Sequence, residues 1–349
     1  MGSTFDRLCQ DGLLPDHPQH MKNNIHYEVV MGSTAYGVSD DMSDVDVYGF
    51  CMPPKHILFP YSNGHMVGFG DKPENFEQFQ KHHIIDKGSR KEYDVCIYSI
   101  VKFFNLCMQN NPNMVDALFV PTRCVLHSTS IGNHVRDNRK LFLSKRVWHK
   151  FKGYAYSQLH KMGNKWVKNF VVLSDKYGIG YDMPLKETID AMRMNGASDD
   201  DMVKMVKIIP KIESNGKRSK RIPLIAKHGY DTKFAYHVVR LLDECKMILE
   251  EGDLDLTRSR EHLKTIRRGE VSEESIVDYF NQSLISMEEL YSKSLLRYAP
   301  DEDAIRELLF ECIEMHYGSM DNAMSSIDAS VMKNVTEASR YLNKAMQLL

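Results

Sequence analysis

Asp44 and Asp46 are the residues best placed by type and spacing to do chemistry. They lie two apart in the β-rich run Ser43-Asp44-Val45-Asp46-Val47-Tyr48-Gly49-Phe50, and on a strand residues two apart point to the same face. Val45 and Val47 then turn the other way, toward a core. Two carboxylates held side by side repel each other unless a cation sits between them. Mg²⁺ suits such a pair, because it takes a few carboxylate oxygens, keeps waters and accepts substrate phosphates at its remaining positions. Mn²⁺ accepts the same hard oxygens. Just upstream, Val29-Val30-Met31-Gly32-Ser33-Thr34-Ala35-Tyr36-Gly37 is an apolar run ending in a Gly-Ser turn. Gly32 lets the backbone approach a ligand, and Ser33 offers a hydroxyl and an N–H at a prospective helix start, the makings of a phosphate cradle. Either half alone is commonplace. Their order and spacing, with valines alternating against aspartates, point to a site where metal and phosphate meet.

Two further groups stand out. Residues 138–174 hold nine Lys or Arg and no Asp or Glu, interleaved with Phe142, Trp148, Phe151, Tyr154, Tyr156 and Trp166. Cations among aromatics can follow a phosphate backbone and stack bases, which makes Lys145, Arg146 and Lys150 candidate RNA-binding residues. The pattern also describes a helix with aromatics inward and lysines outward, since Trp148, Phe151, Ala155 and Leu159 fall at core spacing. Farther on, Asp231 or Thr232 can cap a helix whose buried stripe is Phe234, Val238, Leu241 and Cys245. Lys233, His237 and Arg240, spaced four and three apart, share a neighbouring face and are candidates to hold a triphosphate or an RNA phosphate. The plain alternative is a solvated basic face.

The elements that must position these residues follow in order. Residues 1–24 read as a short helix and a loop, 25–31 as a first strand, 33–39 as the start of a short helix, and 44–52 as a second strand stopped by Pro53-Pro54. Residues 60–90, including His82-His83, show no sustained period and read as a long loop excursion able to close over the site. Residues 91–99 read as a third strand on which Asp94 is a lone carboxylate between Tyr93 and Val95, and 100–109 as an amphipathic helix. Residues 111–119 form a short helix or strand. Residues 181–222 look like an insertion made of a short helix, the acidic Asp199-Asp200-Asp201, another short helix and a basic loop at 214–221, and the rest is helical, with a weaker period over 320–349 that either packs on the body or mediates association.

At 349 residues two domains are expected: a catalytic domain over 1–125 and a helical domain over 126–349. Seven cysteines, odd in number and without a Cys-x-x-Cys, imply free thiols in a reducing compartment and exclude a disulfide framework or zinc ribbon. No apolar run reaches membrane-spanning length and no apolar signal region opens the chain. Asp6 stands where a myristoylation motif wants Ser or Thr. The expectation is a cytoplasmic protein with no membrane partner. Residues 241–349 carry 12 Lys or Arg against 22 Asp or Glu, leaving 33 against 25 in residues 1–240. A positive front half fits an anionic substrate, and the acidic C-terminal half is a surface for a protein partner.

Gly-Ser-x-x-Tyr-Gly followed by Ser-Asp-x-Asp-x-x-Gly and Pro-Pro resembles the polymerase-β type nucleotidyltransferases, in particular the RNA-repair-associated branch (RlaP) of bacteria and phages. Asn111-Pro112 with Leu118-Phe119, and Lys-His-Gly-Tyr-Asp-x-Lys-x-Ala-x-His-x-x-Arg-Leu from Lys227, are similar to that branch. The resemblance covers roughly residues 25–125 and 150–270; the 181–222 stretch and the last fifty or so residues depart from it. It implies an α+β nucleotidyltransferase core, a mixed small sheet with helices, followed by a mainly helical domain. It also implies that Gly32, Ser33 and Tyr36 bind the nucleotide, that Asp44 and Asp46 bind metal, and that Asp94 is the third carboxylate. The reaction implied is two-metal, Mg²⁺-dependent transfer of NMP from an NTP to an acceptor hydroxyl, with an RNA or tRNA 3′ end favoured. Alternatives are nucleotidylation of a protein or small molecule, or a catalytically silent nucleotide- or RNA-binding module. The intact aspartate pair argues against silence.

Overall fold

β-Branched and aromatic residues at alternating positions build a five-stranded sheet from β1 (Ile25–Val30), β2 (Val45–Cys51), β3 (Gln78–Asp86), β4 (Lys91–Ser99) and β5 (Val125–Ser128). The order is β3-β4-β2-β1-β5, with β2 and β4 parallel and the other pairs antiparallel. The computed structural model describes residues 2–39, 44–214, 217–218, 221–325, 338, 340, 341 and 346. Ser43, most of the basic run 214–221 and most of 320–349 therefore fall outside the described residues or their described side chains.

The chain divides into two compact units. The first is Met1–Ser144, Asp255–Thr257 and Arg297–Leu349; the second is Lys145–Leu254 and Arg258–Leu296. An expected boundary at 125 thus falls inside the first unit, because β5 pairs with β1 and closes the sheet. The late helix Glu302–Tyr317 also belongs there, and packs on the helices Ile100–Met108 and Ser130–Asp137. Helical periodicity shows which face is apolar, not which distant part of the chain covers it.

In the first unit, Val47, Val95, Ile97 and Tyr93 send their side chains to one sheet face, against Phe5, Leu8, Leu14 and Met21. Each such side chain contributes roughly 1.5–3 kcal/mol when fully buried. On the opposite face Phe50 meets Phe103, their ring centroids 5.0 Å apart, under the helix Ile100–Met108. The N-terminal helix Thr4–Gln10 is capped by Ser3. It is tied to the sheet by Glu28, fully buried on β1, whose carboxylate accepts from the amides of Thr4 at 2.6 Å and Phe5 at 2.8 Å.

The second unit is helical, as expected. Helices Arg146–Met162 and Thr232–Glu251 pack along each other, flanked by Glu273–Lys293. The two short helices expected within residues 181–222 are present, and a third follows them. Helices Leu185–Met194, Asp199–Ile212 and Ile222–His228 bury Met192, Met205, Ile209 and Ile225 with Phe170 and Leu173 in a core of their own.

Candidate active site

Asp46 on β2 stands in register with Asp94 on the parallel neighbour β4. Adjacent strands lie about 4.8 Å apart and residues in register share a face, so the two carboxylates are neighbours. Val45 and Val47 do pack toward the core, which leaves Asp46 on the other face, half-buried, with Asp44 exposed just before the strand. Like charges in register repel, and a cation held between them relieves that repulsion.

Gly32 joins the two halves of the sequence motif. Its φ is +65°, and a Cβ there would lie 2.3 Å from Oδ2 of Asp46. Only glycine lets the turn sit against that carboxylate. The Met31 amide donates to the Asp46 carbonyl at 2.7 Å, clamping the turn onto β2. Gly32–Ala35 then makes a single helical turn, and the Val38 amide closes on the Ser33 carbonyl at 2.9 Å. Ser33 remains half-buried beside it. Tyr36 differs from the expectation of nucleotide contact. It is 3% exposed, and its hydroxyl donates to the buried Asp116 at 2.7 Å, anchoring the turn to the helix Pro112–Phe119.

Asp94 is held from β3. The His83 amide donates to its Oδ1 at 2.8 Å and His82 Nδ1 lies 2.9 Å from its Oδ2. Burial opposes the charge on Asp94, but the His83 amide and the His82 ring outweigh it and keep the carboxyl below its ordinary pKa. Both contacts arise from a bulge. The β3–β4 register slips between Lys81 and Ile84, and His83 takes a φ of 56°. His82-His83, expected in a loop, lie on β3. The segment is instead a polar edge strand whose bulge breaks the two-residue period, so the only available signal was the Phe79 and Ile84 pair of half-buried and buried positions.

Asp44, Asp46 and Asp94 offer hard oxygen donors, and Gly32 leaves Asp46 approachable. Among the described residues no three His, Cys, Asp or Glu side chains converge as a metal cage. Such a partial set fits Mg²⁺, which is held by one or two carboxylates and completed by waters and substrate phosphates, better than a metal that needs a full protein cage.

The other expected binding residues lie in the second unit, and they do not form the faces the sequence implied. Lys233 is exposed and His237 half-buried, but Arg240 is buried and donates to both oxygens of Glu244 at 2.9 Å. The carboxylate four residues on claims the guanidinium, so the three cations do not present one solvated face. Burial, then Arg240 and Lys233, push His237 well below its usual pKa. Arg146 and Lys150 are exposed, whereas Lys145 is 5% exposed, reaches the Ser292 carbonyl at 3.5 Å and lies over Tyr291. The acid-free stretch also draws carboxylates from elsewhere in the chain: Lys168 pairs with Glu273 at 2.5 Å and Lys152 with Glu288 at 3.8 Å.

Residues 10–278 match the RlaP family, described as the RNA repair pathway DNA polymerase beta family. The chain belongs to this family. Polymerase-β-like nucleotidyltransferases generally use divalent metals. A relative in Enterobacteria phage T4, the uncharacterized 38.9 kDa protein of the nrdC-mobD intergenic region, is 29% identical over 137 residues. That match takes in 38% of this chain and spans 37% of the relative's length. A nucleotidyltransferase-like protein from Exiguobacterium sibiricum superposes over 89% of this chain and 80% of its own, with 10% identity and a TM-score of 0.27. Among the described residues no helix is long and apolar enough to cross a membrane.

Proposed function

We propose that the protein transfers a nucleoside monophosphate from an NTP to an acceptor hydroxyl, releasing pyrophosphate, and that the acceptor is an RNA 3′ end such as that of a damaged tRNA. The observation that carries the transfer reading is Asp46 in register with Asp94 beneath the Gly32 turn. The RNA reading is supported by the family's description and by the exposed cations Arg146 and Lys150.

In this reading Asp44 and Asp46 hold the divalent ion and Asp94 completes the charge on the acceptor side. When bound, the ion lowers the pKa of the acceptor hydroxyl and neutralises charge on the departing pyrophosphate. Gly32 and Ser33 hold the triphosphate through backbone amides and a hydroxyl, fixing the α-phosphorus for in-line attack. Asp94, oriented by the His83 amide and the His82 ring, serves as an electrostatic partner on the acceptor side, and the proton that the acceptor hydroxyl loses on attack passes to solvent. His82 fixes the orientation of that carboxylate.

The test is incubation with each labelled NTP and Mg²⁺, with and without total RNA, followed by separation of RNA, protein and free nucleotide. Label in RNA that requires Asp46 supports the proposal. Label in protein or in a small molecule transfers the same chemistry to another acceptor, and no label in any fraction overturns transfer.

A further inference from the structure

The second unit carries a groove that the reaction above does not use. It lies between helices Lys165–Lys176 and Asp199–Ile212 and has a volume of about 470 Å³, within the range of roughly 300–1,000 Å³ typical of small-ligand pockets. The inner faces of both helices are packed into the core through Phe170, Met205 and Ile209, so the groove has a firm floor. One wall is apolar and open: Trp166 is 37% exposed and Val172 64%. The other end is cationic. Lys176 and Lys204 converge on Asp201, at 2.7 and 3.2 Å, and Lys204 also reaches the exposed Asp200 at 2.7 Å. Lys207, one turn on, lines the groove without a carboxylate partner among the described residues. Three ammonium groups thus face one lining carboxylate, which is already engaged by two of them and by the Tyr177 hydroxyl.

A flat aromatic wall beside a cluster of ammonium groups is complementary to a planar ring joined to an anion. We propose that this groove binds one nucleotide unit, its base against Trp166 and Val172 and its phosphate at Lys204 and Lys207. Base–aromatic stacking tolerates any base, and lysine seats phosphate as a point charge. The nucleotide is either a free mononucleotide or one residue of a single-stranded nucleic acid, two sources of the same chemistry. The site is distinct from the Asp46 carboxylates and does not depend on the transfer reading.

The chain's two tryptophans give a direct readout, because Trp148 is 1% exposed and Trp166 lines the groove. The full protein, in EDTA to keep metal-bound nucleotide out of the carboxylate site, is titrated with AMP, UMP, an oligouridylate of about ten residues, inorganic phosphate and an oligoglutamate peptide. Saturable quenching by nucleotides, but not by phosphate or the peptide, is expected. Mononucleotides and oligomer binding alike indicate a mononucleotide site, and binding about ten-fold or more tighter to the oligomer indicates a strand. Lys207→Glu, with an unchanged thermal midpoint, weakens binding by about ten-fold or more, and Trp166→Phe removes the signal. The proposal is overturned if no nucleotide quenches, if the peptide competes equally, if Lys207→Glu binds as the native protein does, if quenching persists in Trp166→Phe, or if it is lost in Asp46→Asn.

Discussion

Asp46 is held in register with a second carboxylate, which separates its effect on turnover from its effect on folding. Replacing Asp46 by Ala removes a carboxylate registered against Asp94. The thermal midpoint is expected to stay or rise, while transfer falls by roughly a thousand-fold or more as charge stabilisation at the phosphorus is lost; Asp44→Ala behaves likewise. Near-native turnover in either variant, measured by label transfer, removes these residues from the site. Asp94→Asn is expected to keep NTP binding and lose transfer. Its pH signature differs from that of Asp46→Ala. The folded pKa of Asp94 lies below its ordinary 3.8, so its stabilisation is present above that value and is lost as pH falls through the folded pKa. Unfolding curves below pH ~4 will therefore be shallower against pH in Asp94→Asn than in the native protein. Asp44 precedes the strand, whereas the placement of Asp46 opposite Val45 and Val47 was legible from the alternation alone. His82 was not, because its contact depends on a bulge that no two-residue period encodes.

Among the elements, the N-terminal helix depends on one buried carboxylate. Burial pushes Glu28 up to about 7, against the pull of the Phe5 and Thr4 amides. Because the folded pKa lies above the ordinary 4.5, the folded protein binds more protons between these values. This group's contribution is complete below 4.5 and is lost as pH rises through about 7. Glu28→Gln can accept only one of the two amides and is expected to destabilise by roughly 1–3 kcal/mol. It should also abolish that slope in a series of thermal melts from pH 4.5 to 8. The element reading was strongest where apolar alternation is unbroken: residues 91–99, expected as a strand, are β4, Lys91–Ser99. It failed at β3, an edge strand with a polar, half-solvated surface. In the basic stretch the expected helix with Trp148, Phe151 and Ala155 inward forms as Arg146–Met162, but its compensating Glu273 and Glu288 come from more than a hundred residues later.

At the scale of the whole molecule, charge should decide how the acceptor is gathered. Arg146 and Lys150 are exposed, while Lys145 is buried against Tyr291 and Ser292. The double variant Arg146→Ala, Lys150→Ala is therefore expected to lower the slope of log RNA affinity against log salt by roughly 1–2 units and to leave NTP binding unchanged. An unaltered slope makes this helix an ordinary solvated surface and turns attention to protein or small-molecule acceptors.

The first unit is also discontinuous. His26 on β1 is hydrogen-bonded to His316 at 3.1 Å, and Tyr317 donates to the Pro53 carbonyl at 2.7 Å. These contacts staple the helix Glu302–Tyr317 to the strands flanking the Gly32 turn and β2. During synthesis, at about 5–20 residues per second, residues 145–296 emerge and can begin to fold before the helix Glu302–Tyr317, which packs on Ile100–Met108 and Ser130–Asp137, has been made. The first unit is finished only after residue 317 leaves the ribosome, so a nascent or truncated chain can present the later unit before the unit carrying Asp46 is complete.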